Sequence, residues 1–188
     1  GLGPVGLAVI ASLKARGFGP IIATDFSPER RAAAEKMGAD VIVDPNETSP
    51  HASWKQFSVP GNRGEAMMAA MQGVAVKRPI IFECVGVKGV VQNLAMAAPA
   101  GTRIVVVGVC METDNIEPLL FITKEIELRY VYGYSRDEFA ASLKNLAEGN
   151  TGYSQIVTGV ATLEETPDAF VRLQTDKSQI KILVAPGK

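Results

Sequence analysis

Short apolar runs alternate with segments of helical period along this chain, and that alternation restricts the fold more than any other feature. The runs cover residues 21–24, 41–43, 80–83, 103–107, 126–132 and 180–184. Helical patterns fall between them, at about 28–37, 64–72, 87–97, 137–148 and 163–173. Runs this short and this continuously apolar suit strands buried on both faces, joined by crossover helices that cover the sheet. The expectation is an α/β fold with a doubly wound parallel sheet, and 188 residues suffice for one such domain with a real core.

The chain opens on Gly1-Leu2-Gly3-Pro4-Val5-Gly6, followed by a helical pattern through Leu7, Ala8, Ile10, Ala11 and Leu13. Gly1 allows a tight turn, Gly3 lets the backbone approach a group that a Cβ would block, and Gly6 lets the helix lie close to the sheet. Pro4 suits the first helical turn, where an N–H would have no partner anyway. Unpaired N–H groups and the helix dipole then face an anion, so the turn predicts a pyrophosphate site. Asp25 follows at the carboxyl end of the 21–24 run, before the helix start Ser27-Pro28-Glu29. A carboxylate there accepts hydrogen bonds from both ribose hydroxyls and repels a 2′-phosphate, which selects NAD over NADP. The strand that should feed the glycine turn would be central in a doubly wound sheet. The sequence is therefore expected to be a fragment whose sheet lacks its first strand.

A formal net charge of −1 excludes a basic field for nucleic acid, and the longest apolar stretches are broken too early to span a bilayer. Cys84 and Cys110 stand far apart, outside any metal-ligand spacing, and read as small buried hydrophobes in a reducing cytoplasm. His51, the only histidine, falls in the aperiodic stretch 44–63, read as a surface insertion around Trp54 and Phe57. Ser135 is the expected N-cap of the helix that follows it, and Gly38 the expected stop of the 28–37 helix.

Taken in order, several stretches resemble the coenzyme-binding domain of the zinc-type medium-chain alcohol, polyol and threonine dehydrogenases. They are the opening glycine motif, Asp25 with Arg30, Met37-Gly38-Ala39-Asp40, Phe82-Glu83-Cys84-Val85-Gly86, Val106-Val107-Gly108-Val109, Thr123-Lys124-Glu125-Ile126 and Ile180-Lys181-Ile182-Leu183-Val184. The resemblance implies that Gly1, Gly3, Pro4, Val5 and Gly6 cradle the pyrophosphate while Asp25 and Arg30 hold the adenosine ribose. It implies that Val85 and Gly86 wall the cofactor cleft, and that Val107, Gly108 and Val109 pack on the nicotinamide. Val131, Tyr132 and Gly133 would add backbone contacts to the carboxamide, and Lys181 would sit near the pyrophosphate. Tyr130 and Gly133 depart from common family residues at their positions.

The implied reaction is hydride transfer between an alcohol or carbonyl substrate and NAD. In the family, zinc is held by Cys, His and an acid of another domain. One histidine and two scattered cysteines cannot build such a site here, so zinc is expected only in a missing catalytic domain and the isolated chain is expected to be inactive. Relatives assemble through edge strands, which implies a homodimer or homotetramer through an edge near 114–120. Three other readings share parts of the pattern: a zinc-independent quinone or enoyl reductase, a regulatory NAD-sensing module and a methyltransferase. Asp25 counts against the first and the later Val-Gly-Val match against the last, while the second needs no catalytic domain.

Overall fold

The structure, a computed structural model, describes residues 1–149 and 152–187. In chain order the elements are α1 (Pro4–Ala15), β1 (Ile22–Thr24), α2 (Pro28–Lys36), β2 (Val41–Val43), a 3₁₀ helix (Pro50–Phe57), α3 (Arg63–Met71), β3 (Ile80–Glu83), α4 (Val90–Ala97), β4 (Arg103–Val106), α5 (Pro118–Lys124), β5 (Glu127–Tyr130), α6 (Arg136–Ala147), a second 3₁₀ helix (Gly152–Ile156), β6 (Val157–Ala161), α7 (Thr166–Thr175) and β7 (Lys181–Val184). Two compact units result, one of Gly1 with Thr48–Tyr132 and one of Leu2–Glu47 with Gly133–Lys188.

In the unit of Leu2–Glu47 with Gly133–Lys188, β1 pairs with β2 in parallel, Ile22, Ala23 and Thr24 standing opposite Val41, Ile42 and Val43. A second parallel pair joins β6 to β7, with an irregularity between Val157 and Gly159. The core gathers Leu2, Leu7, Ile10, Ala11, Ile21, Ala23, Ala34, Met37, Ile156 and Ile180. Chain entry and exit are fixed by local chemistry. Ser27 caps α2 by accepting from Arg30 N–H, and α2 ends in a Schellman turn in which Gly38 (φ 92°) donates to Glu35 O and Ala39 to Ala34 O. At α6, Ser135 and Glu138 form a reciprocal capping box.

In the other unit, β3, β4 and β5 form a parallel sheet in that order. Its core is Val91, Ala95, Ile104 and Val106, flanked by Ile81, Leu94, Leu120, Phe121, Ile126 and Leu128. The Lys124 ammonium donates to Ala95, Met96 and Ala98 carbonyls at 3.0, 2.6 and 2.9 Å, closing the carboxyl end of α4. The doubly wound order 3-2-1-4-5-6 makes neighbours of strands two and three, and of four, five and six. The parallel β1–β2 pair and the parallel β3–β4–β5 sheet are compatible with the neighbour relations of that order.

Several sequence expectations need correction. The expected edge near 114–120 is not a strand: Pro118 opens α5, Asp114 accepts from Gly89 N–H at 2.8 Å and Gln92 accepts from Glu117 N–H at 2.9 Å. Of these groups the Glu117 N–H is a main-chain donor of the stretch, and it is already paired inside the unit. Two helices start late: α4 waits for Gly89, which has φ 84°, and α7 follows a reciprocal Thr162–Glu165 turn and carries Pro167 in its first turn. The strand β6 was missed because Thr158 and Gly159 interrupt its apolar run.

The 44–63 stretch is not an unstructured insertion either. Ser49 accepts from His51 N–H and Pro50 starts the first 3₁₀ helix. There His51 is half-buried rather than a surface residue, edge-on to Trp54 with ring centroids 4.5 Å apart. Burial first, and the Lys124 ammonium second, hold its imidazole below the ordinary value of 6.5. Well above pH 6.5 the ring is neutral in folded and unfolded chains alike. As pH falls below that value the unfolded chain takes up a proton that the folded chain resists, so stability should fall with acidification. Urea unfolding at about pH 7.5 and 5.5 measures the loss. His51→Gln should flatten it, and an unchanged slope in that variant would acquit the ring.

Candidate coenzyme site

In the unit of Leu2–Glu47 with Gly133–Lys188, the site is built on the start of α1 and the end of β1. Gly3 is the N-cap of α1 with φ −67°, an ordinary value, and a Cβ built on it would meet nothing within 4 Å. Neither backbone strain nor the chain's own packing therefore requires glycine at Gly3, which leaves the approach of another molecule as the physical use of the space. Pro4 stands at the first helical position. The first backward bond of α1 is Leu7 N–H to Gly3 O at 3.0 Å, so the N–H groups of Val5 and Gly6 precede the i→i−4 ladder. No side chain caps this end and no acid lies in its first turn. Gly6 is buried on the inner face of α1.

Asp25 follows β1 with its side chain 12% exposed. One carboxylate oxygen accepts from Leu2 N–H at 2.7 Å and lies 3.9 Å from the Arg30 guanidinium; the other accepts from Ser27 N–H at 2.9 Å. Capping α2 falls to Ser27, so Asp25 is free for another role. A carboxylate has about four lone-pair directions, and two backbone donors leave room for a diol. Next to it, Arg31 donates to Asp25 O and Phe26 O and pairs with Asp44 at 2.7 Å, fixing the turn from behind. Thr24 Oγ1 and Arg30 Nε are buried without a hydrogen-bond partner, two polar groups beside Asp25 that a ligand could satisfy. Gly133 (φ 67°) and the Lys181 side chain, exposed on β7 opposite Val157, bond to none of this cluster among the described residues.

In the unit of Gly1 with Thr48–Tyr132, the turns after β3 and β4 meet. A Cβ on Gly1 would lie 2.7 Å from Val85 Cγ2 and 3.4 Å from Cys84 O. Gly86 has φ 70°, and a Cβ on it would come within 2.5–2.8 Å of the Val109 backbone. A Cβ on Gly108 would press into Gly86 N and lie 2.8 Å from Glu83 Oε2. The turns of Val85-Gly86 and Val107-Gly108-Val109 thus approach backbone to backbone. Val85 and Val109 remain 50% and 71% exposed, apolar side chains displayed to solvent.

Further along, Val131 N–H donates to Val106 O at 3.2 Å, while Tyr132 is fully exposed. Cys84 is half-buried and free, and burial pushes its thiol up to about 11. Cys110 is also free and half-buried, its thiol donating to Glu112 O at 3.5 Å. No group of three or more His, Cys, Asp or Glu among the described residues could hold a metal ion. No helix of the described residues is long and apolar enough to cross a membrane.

Two residues of this geometry had no role in the sequence reading. The Leu2 N–H is invisible in sequence because any residue supplies it. Glu83 left a trace: an acid closing the apolar run Ile80-Ile81-Phe82 has to find donors, and a glycine three residues later marks the turn that offers them.

The family described as zinc-binding dehydrogenase matches residues 4–148. (R,R)-Butanediol dehydrogenase of Bacillus subtilis (strain 168) is 34% identical over 188 residues, covering 100% of this chain and 49% of that protein. Sorbitol dehydrogenase of the same organism is 29% identical over 190 residues, with the same shares of 100% and 49%. Among solved structures, the X-ray crystal structure of 2R,3R-butanediol dehydrogenase from Bacillus subtilis matches with a TM-score of 0.75 at 33% identity, over 100% of this chain and 49% of that one. The chain spans about half the length of the curated relatives it matches.

Proposed function

Because the chain belongs to the zinc-binding dehydrogenase family, we propose that it is the coenzyme-binding half of an alcohol or polyol dehydrogenase that uses NAD. The observation that carries this is Asp25, a carboxylate at the end of β1 that is braced by two backbone N–H groups and free of any capping duty. In this reading Asp25 accepts from the ribose diol and Arg30 lies along the same sugar. The N–H groups of Val5 and Gly6, with the dipole of α1, take the negative charge of the pyrophosphate, and Gly1, Gly3 and Pro4 shape that turn. Lys181 adds a point charge to the phosphates. Val85 and Gly86 line the cleft, while Val107, Gly108, Val109, Val131, Tyr132 and Gly133 serve the nicotinamide and its carboxamide.

Bound NAD would supply the hydride acceptor for an alcohol substrate, or NADH the donor for a carbonyl. In this reading the residues of this chain bind and orient the coenzyme. Zinc does not fit any cluster of the described residues, so no step is assigned to it here. The same reading takes the 188 residues as one coenzyme domain of a cytoplasmic homodimer or homotetramer, and the two unpaired thiols Cys84 and Cys110 suit a reducing compartment.

Calorimetric titration of the full-length protein with NAD and NADP tests the reading. NAD should bind at least about tenfold more tightly, since a 2′-phosphate against Asp25 sets like charges together. Equal or tighter NADP binding would remove the basis for NAD. Residues 1–188 expressed alone should show no alcohol oxidation, and turnover by them would refute the half-enzyme assignment.

A further inference from the structure

We infer that Glu83 is a positioning residue for the coenzyme, its buried side chain bracing the turn after β3 where that turn meets the turn after β4. The inference rests on the coenzyme reading above and adds to it a residue that touches no part of the ligand.

Glu83 is the last residue of β3 and is only 3% exposed. No Lys or Arg nitrogen among the described residues pairs with it. A carboxylate withdrawn from water without a cation is costly unless hydrogen bonds satisfy it. Here Oε1 accepts from Val85 N–H at 2.5 Å and from Gly86 N–H at 2.9 Å. The main-chain carbonyl of the same residue accepts from Val107 N–H at 2.8 Å and Gly108 N–H at 2.9 Å. One residue therefore holds four donors, two from each turn, and the turns it joins are those whose glycines leave no room for a Cβ. Its second oxygen, Oε2, makes no hydrogen bond among the described residues and faces Gly108.

What this arrangement fixes is informative. A buried charge spent on core packing would rigidify side chains that face the core, but Val85 and Val109 are among the exposed apolar residues. These turns lie at the carboxyl ends of parallel strands, where ligands of open α/β sheets bind. The carboxylate thus sets the shape of a surface meant to be covered by a ligand, and pre-shaping such a surface lowers the ordering cost of binding.

The test compares NADH with AMP, which offers adenosine and one phosphate but no nicotinamide, on the full-length protein. Glu83→Ala leaves the Val85 and Gly86 N–H groups unpaired and should weaken NADH binding about thirtyfold. Glu83→Gln keeps the reach and one acceptor oxygen without the charge, and should weaken it about fivefold. AMP affinity should stay within about twofold in both variants, because Asp25 and Arg30 still hold the adenosine. A merely structural role would weaken AMP and NADH alike, so equal losses overturn the inference, as does NADH affinity unchanged in both variants. If Glu83→Ala does not fold, the ratio of NADH to AMP affinity in Glu83→Gln decides alone: a fall supports the role and an unchanged ratio overturns it. Wild-type protein that binds neither ligand overturns the coenzyme reading itself.

Discussion

Asp25→Ala should weaken NAD binding about 100-fold and leave NADP binding nearly unchanged, so that the preference for the unphosphorylated coenzyme disappears. Two hydrogen bonds from ribose hydroxyls to a carboxylate are each worth about 1.5–3 kcal/mol, which sets the scale of the loss. NADP loses nothing equivalent, since the same carboxylate repels its phosphate. A second effect comes from within the chain. Asp25 braces Leu2 N–H and Ser27 N–H, and Leu2 is a buried member of the core. Removing the acceptor should cost about 1–3 kcal/mol of stability and loosen the turn that leads into α1. Asp25→Asn separates the two effects: the amide oxygen can still brace one donor, while its NH₂ group offers the diol no acceptor. Binding curves for both coenzymes, together with thermal unfolding of each variant, measure this. Unaltered NAD affinity in Asp25→Ala would show that the ribose does not meet this residue.

Gly86→Ala should be the most damaging small substitution in the unit that contains it. The residue has φ 70°, a conformation that costs an L side chain about 1–2 kcal/mol. Its Cβ would also come within 2.5–2.8 Å of the N, C and O atoms of Val109, backbone that cannot rotate aside. A total loss of about 3–4 kcal/mol or more is expected, a drop in Tm of about 10 °C for a chain of this size. Gly133→Ala provides the control. It shares the positive φ, 67°, but meets nothing within 4 Å, so it should pay the conformational cost only, about 1–2 kcal/mol. Equal shifts in Tm for the two variants would mean that the turns after β3 and β4 are not pressed together as described.

Most strand positions were legible because runs buried on both faces leave a nearly continuous apolar signature. Val41–Val43 and Ile80–Glu83 fall where the sequence puts them. Helix ends were legible where a single residue enforces them, as Ser135 and Gly38 do, and were displaced where a tertiary bond decides. The start of α4 depends on Asp114 reaching back 25 residues to Gly89, a relation that no local window contains. The 114–120 region misled for a related reason. Pro118 is compatible with an edge strand or a helix start, and only the partners taken by Asp114 and Gln92 decide between them. At the site, Asp25 could be read from its place after a short strand. Its bond to Leu2 N–H could not, because main-chain donors carry no residue identity.

The bare start of α1 has a thermodynamic corollary. With neither a capping side chain nor an early acid, that helix begins with its positive pole uncompensated, and a docked phosphate would supply what the sequence withholds. Such ligation would complete a secondary-structure element, so the stability of the unit that holds α1 would rise with the concentration of the small molecule.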